Sequence, residues 1–395
     1  MSARLSLLQV LEPSGGGSGR HFLDLCRAIQ ARGHTVTAVY SPVRAEEGFV
    51  TELAGLGLSA VHAVAMDRAP GPSDVSAWRR LNAIAREQGP FDIIHGHSSK
   101  AGALTRLRLP GQRPPVVYTP HAFRTMDPTL GAKGRLVFGG IERVLGKRFS
   151  DRVICVSRDE HGHALSLGIP EKRLSVVVNG VDRPQGGQRA AIRARFGIPD
   201  NALLYGFVGR LAPQKAPERL IEAFARVAAR QPSARLLMIG SGELAPAVRA
   251  LIGDHSLEGR AFLDDTIPGP AAMDAFDIVV VPSRYDAMSY VVLEAAAAGK
   301  PLIATDVGGA RTVIEAGENG LLVDNSDDPA ALADAMTELA APERLEHATR
   351  QAERRRERFT LERMAEETER VYFDVLGLSV PAPLREAETA VRLTA

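Results

Sequence analysis

Ile278-Val279-Val280-Val281-Pro282-Ser283-Arg284-Tyr285-Asp286-Ala287-Met288-Ser289-Tyr290-Val291-Val292-Leu293-Glu294, followed by Ala295–Ala298, Gly299, Lys300 and Pro301–Ala304, decides the fold of this chain. The four β-branched residues that end at Pro282 form a run too short for a helix, and they read as a strand covered on both faces. The polar loop gives way to a helical run, Tyr290–Ala298, stopped by Gly299. Another apolar run, Pro301–Ala304, repeats the strand. Strand, helix and strand in that order, with both strands apolar on each face, make a parallel β-α-β unit.

The alternation extends both ways. Before the unit come a strand at Leu203–Val208, a helix at Pro217–Ala229 and a strand at Leu236–Ile239; after it comes Gly320–Val323. The amino-terminal half has its own strands at Leu5–Leu11, Val36–Tyr40, Asp92–His95, Pro115–Thr119, Arg152–Val156 and Leu174–Val178. Its first helix puts Phe22, Leu23, Cys26 and Ile29 on one face and ends at Gly33, and its last lies near His161–Leu167. The pattern predicts an α/β protein of two Rossmann-like, doubly wound parallel sheets facing a central cleft, at 1–180 and 201–360. Residues 181–200 read as the connection. Residues 361–395 read as a closing helix, packed back on the first domain, and a tail.

Composition excludes several classes of function. At 395 residues the chain exceeds what one core holds, and its 45% hydrophobic and 24% charged residues are those of an ordinary globular protein. The net charge of +1, from 48 basic and 47 acidic residues, lacks the bulk basicity of a nucleic-acid binder. No apolar run approaches the roughly 20 residues that span a bilayer. The start, Met1–Val10, reads as a buried strand rather than a leader, and Cys26 and Cys155 as buried thiols in a reducing compartment. These signs predict a cytoplasmic protein.

Ligands of such sheets bind beyond the carboxyl ends of the strands, so the loops there carry the chemistry. Gly15-Gly16-Gly17-Ser18-Gly19 lies between a strand and a helix, where bare backbone amides suit a phosphate or form a flexible turn. Phe22 stands where a dinucleotide fingerprint needs its third glycine, and Gly299-Lys300-Pro301 does not complete a Walker sequence, so no nicotinamide cofactor is expected. Arg210 and Lys215, five apart after the strand Leu203–Val208, offer a planar fork and a point charge to one diphosphate; otherwise they are solvated cations. Asp286 and Glu294 place two carboxylates along one cleft, where they can bind hydroxyls. The amides of Met288, Ser289 and Tyr290 fall at the start of the helix, where N–H groups lack partners. His121 follows the strand Pro115–Thr119 and reads either as a site group or as a loop imidazole satisfied by backbone. His95 and His97 invite a zinc reading but have no third ligand nearby in sequence, so no metal is expected. The chain has no Asp-x-Asp to hold a divalent ion for a sugar nucleotide.

With these loops in place the chain resembles a family 4 glycosyltransferase of the two-Rossmann-domain GT-B type, over roughly residues 4–375. The resemblance is strongest from Val281 through Pro301, at Thr305-Asp306-Val307-Gly308-Gly309 and at Glu318–Val323. Gly209-Arg210…Lys215, Asn179-Gly180-Val181-Asp182 and Arg32-Gly33-His34 also fit. It implies that Arg210 and Lys215 hold a donor diphosphate and that Glu294 binds ribose. It further implies that Asp286 and His121 contact the donor sugar and that Gly16 and Gly17 lie by the distal phosphate. Asp286-Ala287 stands where the family usually has Glu-Gly, a shorter carboxylate. The implied reaction is retaining, metal-independent transfer of a hexose from a UDP- or GDP-linked sugar.

The acceptor side carries uneven charge. Residues 99–152 hold eleven Lys or Arg (100, 106, 108, 113, 124, 133, 135, 143, 147, 148, 152) and three acids (127, 142, 151). Within them Leu136, Val137, Phe138, Ile141, Val144 and Leu145 follow helical spacing, which fits either a helix on an anionic membrane or one packed on the sheet. The likeness of Ile141–Ser157 to bacterial polysaccharide-assembly members implies a glycan or lipid-linked sugar acceptor at the inner membrane face. Two rival readings remain: a sugar-nucleotide epimerase of the same architecture, which would act on donor alone, and a non-catalytic sugar-nucleotide-binding protein.

Overall fold

A computed structural model describes residues 4–107, 113–127, 130–183, 186–286 and 288–379. Ala287, parts of the basic segment and the tail from 380 therefore lie outside the described residues. The strands are β1 (Ser6–Leu11), β2 (Thr35–Tyr40), β3 (Ala60–Ala63), β4 (Ile93–His97), β5 (Val116–Thr119), β6 (Arg152–Cys155) and β7 (Leu174–Val176). They continue with β8 (Leu204–Val208), β9 (Arg235–Ile239), β10 (Ala261–Asp264), β11 (Ile278–Val281), β12 (Leu302–Thr305) and β13 (Gly320–Val323).

Two parallel sheets result, with strand orders β3-β2-β1-β4-β5-β6-β7 and β10-β9-β8-β11-β12-β13. In each, the order reverses beside the first strand, between β1 and β4 and between β8 and β11. That reversal opens a crevice at the carboxyl ends. Leu7, Val10 and Leu11 on β1, and Val279 and Val280 on β11, are fully buried, as strands covered on both faces require. The sequence reading did not include β3 and β10. Both are edge strands with partly exposed residues, so neither shows a long apolar run.

In the stretch read as the connection, the helix Arg189–Arg195 packs on the second sheet. Ile192 enters its core, and Arg189 and Arg193 each hold an oxygen of Asp277 at 2.7 Å. The chain crosses back near residue 360, and the two crossings bond to each other. The Val181 amide donates to Phe359 O at 2.9 Å, and the Leu361 amide to Val181 O at 3.1 Å. Gly180 must be glycine there, since a Cβ would lie 2.3 Å from Thr360 O. The helix Leu361–Val375 then buries Met364, Tyr372 and Phe373 in one cluster with Leu7, Phe22 and Cys26 of the first domain.

Candidate functional site

The carboxyl ends of β1, β4 and β5 are level, because Leu11 pairs with His97 and His97 with Thr119. The glycine loop, the turn at Ser98 and the turn at His121 therefore leave the first sheet at one edge. On the second sheet the loops after β8 and β11 are stitched together: the Arg284 amide donates to Gln214 O at 2.8 Å, and Gln214 Nε2 to Tyr285 O at 3.2 Å.

That stitching brings Lys215 and Asp286 together as an ion pair at 2.5 Å, while Arg210 stands exposed nearby on the same loop. Met288 and Ser289 are buried. Ser289 precedes the helix Tyr290–Ala297 without capping it, so the first-turn amides have no side-chain partner. Ser283 Oγ, Ser289 Oγ and the Tyr290 hydroxyl are also buried without partners. Buried polar groups are almost always bonded, so three orphans along one loop and helix start mark a surface shaped for a polar ligand.

The first domain meets this surface directly. A Cβ on Gly17 would lie 3.8 Å from the Tyr290 ring. Arg20 Nη1 reaches buried Glu294 Oε1 at 2.7 Å, with its guanidinium 4.4 Å from the Tyr290 ring centre. Gly16 differs from the sequence reading in one respect: its amide already donates to the Glu46 carboxylate at 3.1 Å, so a protein anion sits where a phosphate was expected. Beneath these residues a cavity of about 420 Å³ is lined by Gly15, Gly16, Arg20, Asp24, Glu46 and Asp182 among others.

His121 belongs to a cluster of imidazoles. His97 Nδ1 lies 3.2 Å from His121 Nε2, and His97 Nε2 lies 2.8 Å from Gln9 Oε1. Gln9 Nε2 donates to the Tyr372 hydroxyl at 3.0 Å, which contacts His95 Nδ1 at 2.7 Å; His95 Nε2 contacts Thr119 Oγ1 at 2.8 Å. His21 stacks its ring edge against His121, with centroids 4.5 Å apart, and its contact with the Asn179 side chain falls short of a well-formed hydrogen bond. Burial pulls the His21 pKa down to about 4 and holds His97 and His121 well below the usual range, so all three are neutral at pH 7. The ligands that accompany His97 are distant in sequence, His21 in the helix after β1 and His121 in the turn after β5, while His95 is turned toward Tyr372. Among the described residues, His21, His97 and His121 form the group able to hold a metal.

The turn carrying His121 is strained. His121 and Ala122 have φ of 52° and 73°, a left-handed backbone costing about 1–3 kcal/mol per residue. Glu160 holds it in place, accepting the Ala122 amide at 2.6 Å and the Val156 amide at 2.7 Å. Burial raises the Glu160 pKa to about 7, against the pull of those two amides. Sequence reasoning missed Gln9, Arg20, His21, Glu160 and Tyr372. His21 carried one signal, a polar residue beside the buried Phe22 of a helix that follows the glycine loop.

The two halves match two family descriptions in turn: Glycosyltransferase Family 4 over residues 15–184 and Glycosyl transferases group 1 over residues 188–358. The chain is 31% identical over 338 residues to the D-inositol 3-phosphate glycosyltransferase of Thermobispora bispora, covering 79% of this chain and 78% of that protein. To the protein of the same name from Frankia alni it is 32% identical over 360 residues, covering 82% and 86%. In fold it is similar to Anabaena Alr3699/HepE solved with UDP, at TM-score 0.77 and 21% identity, over 94% of this chain and 100% of that one. Sucrose-phosphate synthase from Thermosynechococcus elongatus is also similar, at TM-score 0.73 and 20% identity, over 95% and 100%.

Proposed function

The chain belongs to glycosyltransferase family 4 and has the two-sheet GT-B fold, and on that premise we propose that it is a retaining, metal-independent hexosyltransferase. Its donor in this reading is a UDP- or GDP-linked sugar, and its acceptor a glycan carried on a lipid diphosphate. The observation that carries the donor assignment is the crevice itself. Lys215, Asp286, the start of the helix Tyr290–Ala297 and Glu294 line one wall, and Gly17 and Arg20 close on it from the other domain.

In this reading Arg210 and Lys215 take the diphosphate, with the amides of Met288, Ser289 and Tyr290 adding unpaired donors. Together they stabilise the charge that grows on the leaving group, the role a metal ion plays elsewhere. Glu294 accepts the ribose hydroxyls and Asp286 reads the hexose. Gly16 and Gly17 lie by the distal phosphate, with phosphate displacing Glu46 from the Gly16 amide. His121 approaches the hexose from the first domain. The bond from the anomeric carbon to the phosphate oxygen breaks with its electrons staying on that oxygen. The acceptor oxygen bonds to the same face, and its proton passes to the departing phosphate. Closure of the two domains excludes water from this step. HepE's complex with UDP favours UDP as the leaving group.

The acceptor reading rests on the helix Ala132–Arg148. Leu136 is 80% exposed and Val137 58%, with Ile141 and Val144 also exposed, and Lys133, Arg143, Lys147 and Arg148 lie along the same helix. An apolar stripe among cations fits an anionic membrane surface, the place where a lipid-linked acceptor is found. No described helix is long and apolar enough to cross a membrane.

Thermal shift with UDP and GDP tests the donor site. The correct nucleotide at about 100 times its Kd adds about 2.7 kcal/mol of stability. Lys215→Ala should abolish that gain, and with donor and acceptor it should lower kcat by about 10²–10³-fold. Product NMR should show the anomeric configuration of the donor. Indifference to both nucleotides refutes the donor site, and an inverted product refutes retention.

A further inference from the structure

The first domain holds a second constellation, which shares only His121 with the transfer machinery proposed above. His21, from the helix Gly16–Ala31, His97, at the end of β4, and His121, after β5, place one ring nitrogen each within 4.8 Å of one another. His21 is only 3% exposed, and neither of its nitrogens makes a well-formed hydrogen bond; its interaction with the Asn179 side chain engages at most one of them. A buried imidazole with at least one orphaned nitrogen is a costly feature unless something binds it.

The surroundings of His97 fix which of its atoms faces the cluster. Gln9 Nε2 donates to the Tyr372 hydroxyl, so Gln9 Oε1 is the atom turned to His97 Nε2. A carbonyl oxygen only accepts, so His97 Nε2 bears the hydrogen and Nδ1 presents a lone pair inward. This is the arrangement of metal-bound histidines, whose second nitrogen is tied to an outer oxygen. This Nδ1 accepts a hydrogen bond from His121 Nε2 at 3.2 Å, so an ion bound between them requires His121 to carry its hydrogen on Nδ1 instead. A tetrahedron with 2.0–2.1 Å metal–nitrogen bonds has edges of about 3.3 Å.

We propose that His21, His97 and His121 form a binding site for a late first-row divalent cation of the Zn²⁺ class, with a fourth position open to the crevice. Three neutral nitrogens and no carboxylate select Zn²⁺, Co²⁺, Ni²⁺ or Cu²⁺ over Mg²⁺, Mn²⁺ or Ca²⁺. His121, the partly exposed member, gives the ion its way in. Coordination engages His121 Nε2 and holds the ring against the floor. If His121 contacts the hexose as proposed above, the ion is an inhibitor, and this consequence alone rests on that reading.

The probe is the metal itself, added to the whole metal-stripped protein without an affinity tag. Co²⁺ should give the visible d–d absorption of a tetrahedral nitrogen site, saturating at one ion per chain and bleached by Zn²⁺, while Mg²⁺ should not compete. His21→Ala should weaken Zn²⁺ binding by at least about 100-fold in calorimetry, and His95→Asn, outside the ligand set, should retain it. Absence of the Co²⁺ band in the wild type overturns the site whether or not the variants fold. Wild-type affinity in folded His21→Ala overturns it equally. If Zn²⁺ binds at one per chain and UDP still binds, loss of transfer supports the inhibitory consequence. Unchanged transfer leaves the metal site standing and removes His121 from the hexose.

Discussion

Arg20 and Glu294 meet at 2.7 Å across the two domains, so the carboxylate proposed for ribose is held by a guanidinium before any nucleotide enters. Arg20's side chain is 40% exposed, which limits the pair to about 1 kcal/mol or less. Ligand hydroxyls must share or displace it.

Arg20→Ala should therefore raise the affinity for UDP by about two- to fivefold in calorimetry and lower the melting temperature of the free protein. Glu294→Gln should lower UDP affinity. Weaker UDP binding in Arg20→Ala would place Arg20 on the donor rather than in competition with it.

Glu160 makes stability depend on pH. Its native pKa of about 7 lies above the ordinary 4.5, so the native state binds more protons between these values. Its favourable contribution is complete below pH 4.5 and is lost as pH rises through 7, by about 3 kcal/mol in all. Glu160→Gln should remove that slope from melting temperatures measured between pH 5 and 8. It should also destabilise by about 1–3 kcal/mol, because its amide NH₂ faces either the Ala122 or the Val156 N–H. An unchanged slope would show that Glu160 does not titrate in this range.

The helix Ala132–Arg148 should bind vesicles containing phosphatidylglycerol and not those of phosphatidylcholine alone. Replacing Leu136 and Val137 by Glu should lower that binding at least about tenfold, since each aliphatic side chain buried in lipid is worth about 1.5–3 kcal/mol. The melting temperature should hold, because both residues are exposed in the free protein. Equal binding by the double variant would refute the membrane face.

Strands buried on both faces announced themselves, and with them the loops bearing Arg210, Lys215 and Asp286 and the helix bearing Glu294. The edge strands β3 and β10 did not, because partly exposed residues leave no continuous apolar run. The partners of the site residues were hidden for a different reason. Arg20 and Glu294 are 274 positions apart, and Gln9 and Tyr372 are 363 apart. Local periodicity carries no information about such pairs; only the docking of two sheets and the return of the chain creates them. The exposed stripe of the helix Ala132–Arg148 needed the structure as well, because the same pattern suits a helix packed on a sheet.

The return of the chain near residue 360 sets a clock on biosynthesis. The helix Leu361–Val375 covers apolar residues of the first domain and supplies the Tyr372 hydroxyl behind His95, yet the ribosome makes it only after the entire second domain. At 5–20 residues per second the first domain waits roughly 10–40 s for its last piece. During that interval Leu7, Phe22 and Cys26 lack part of their cover, so the nascent chain is a natural client for a chaperone that shields greasy surface until elongation ends.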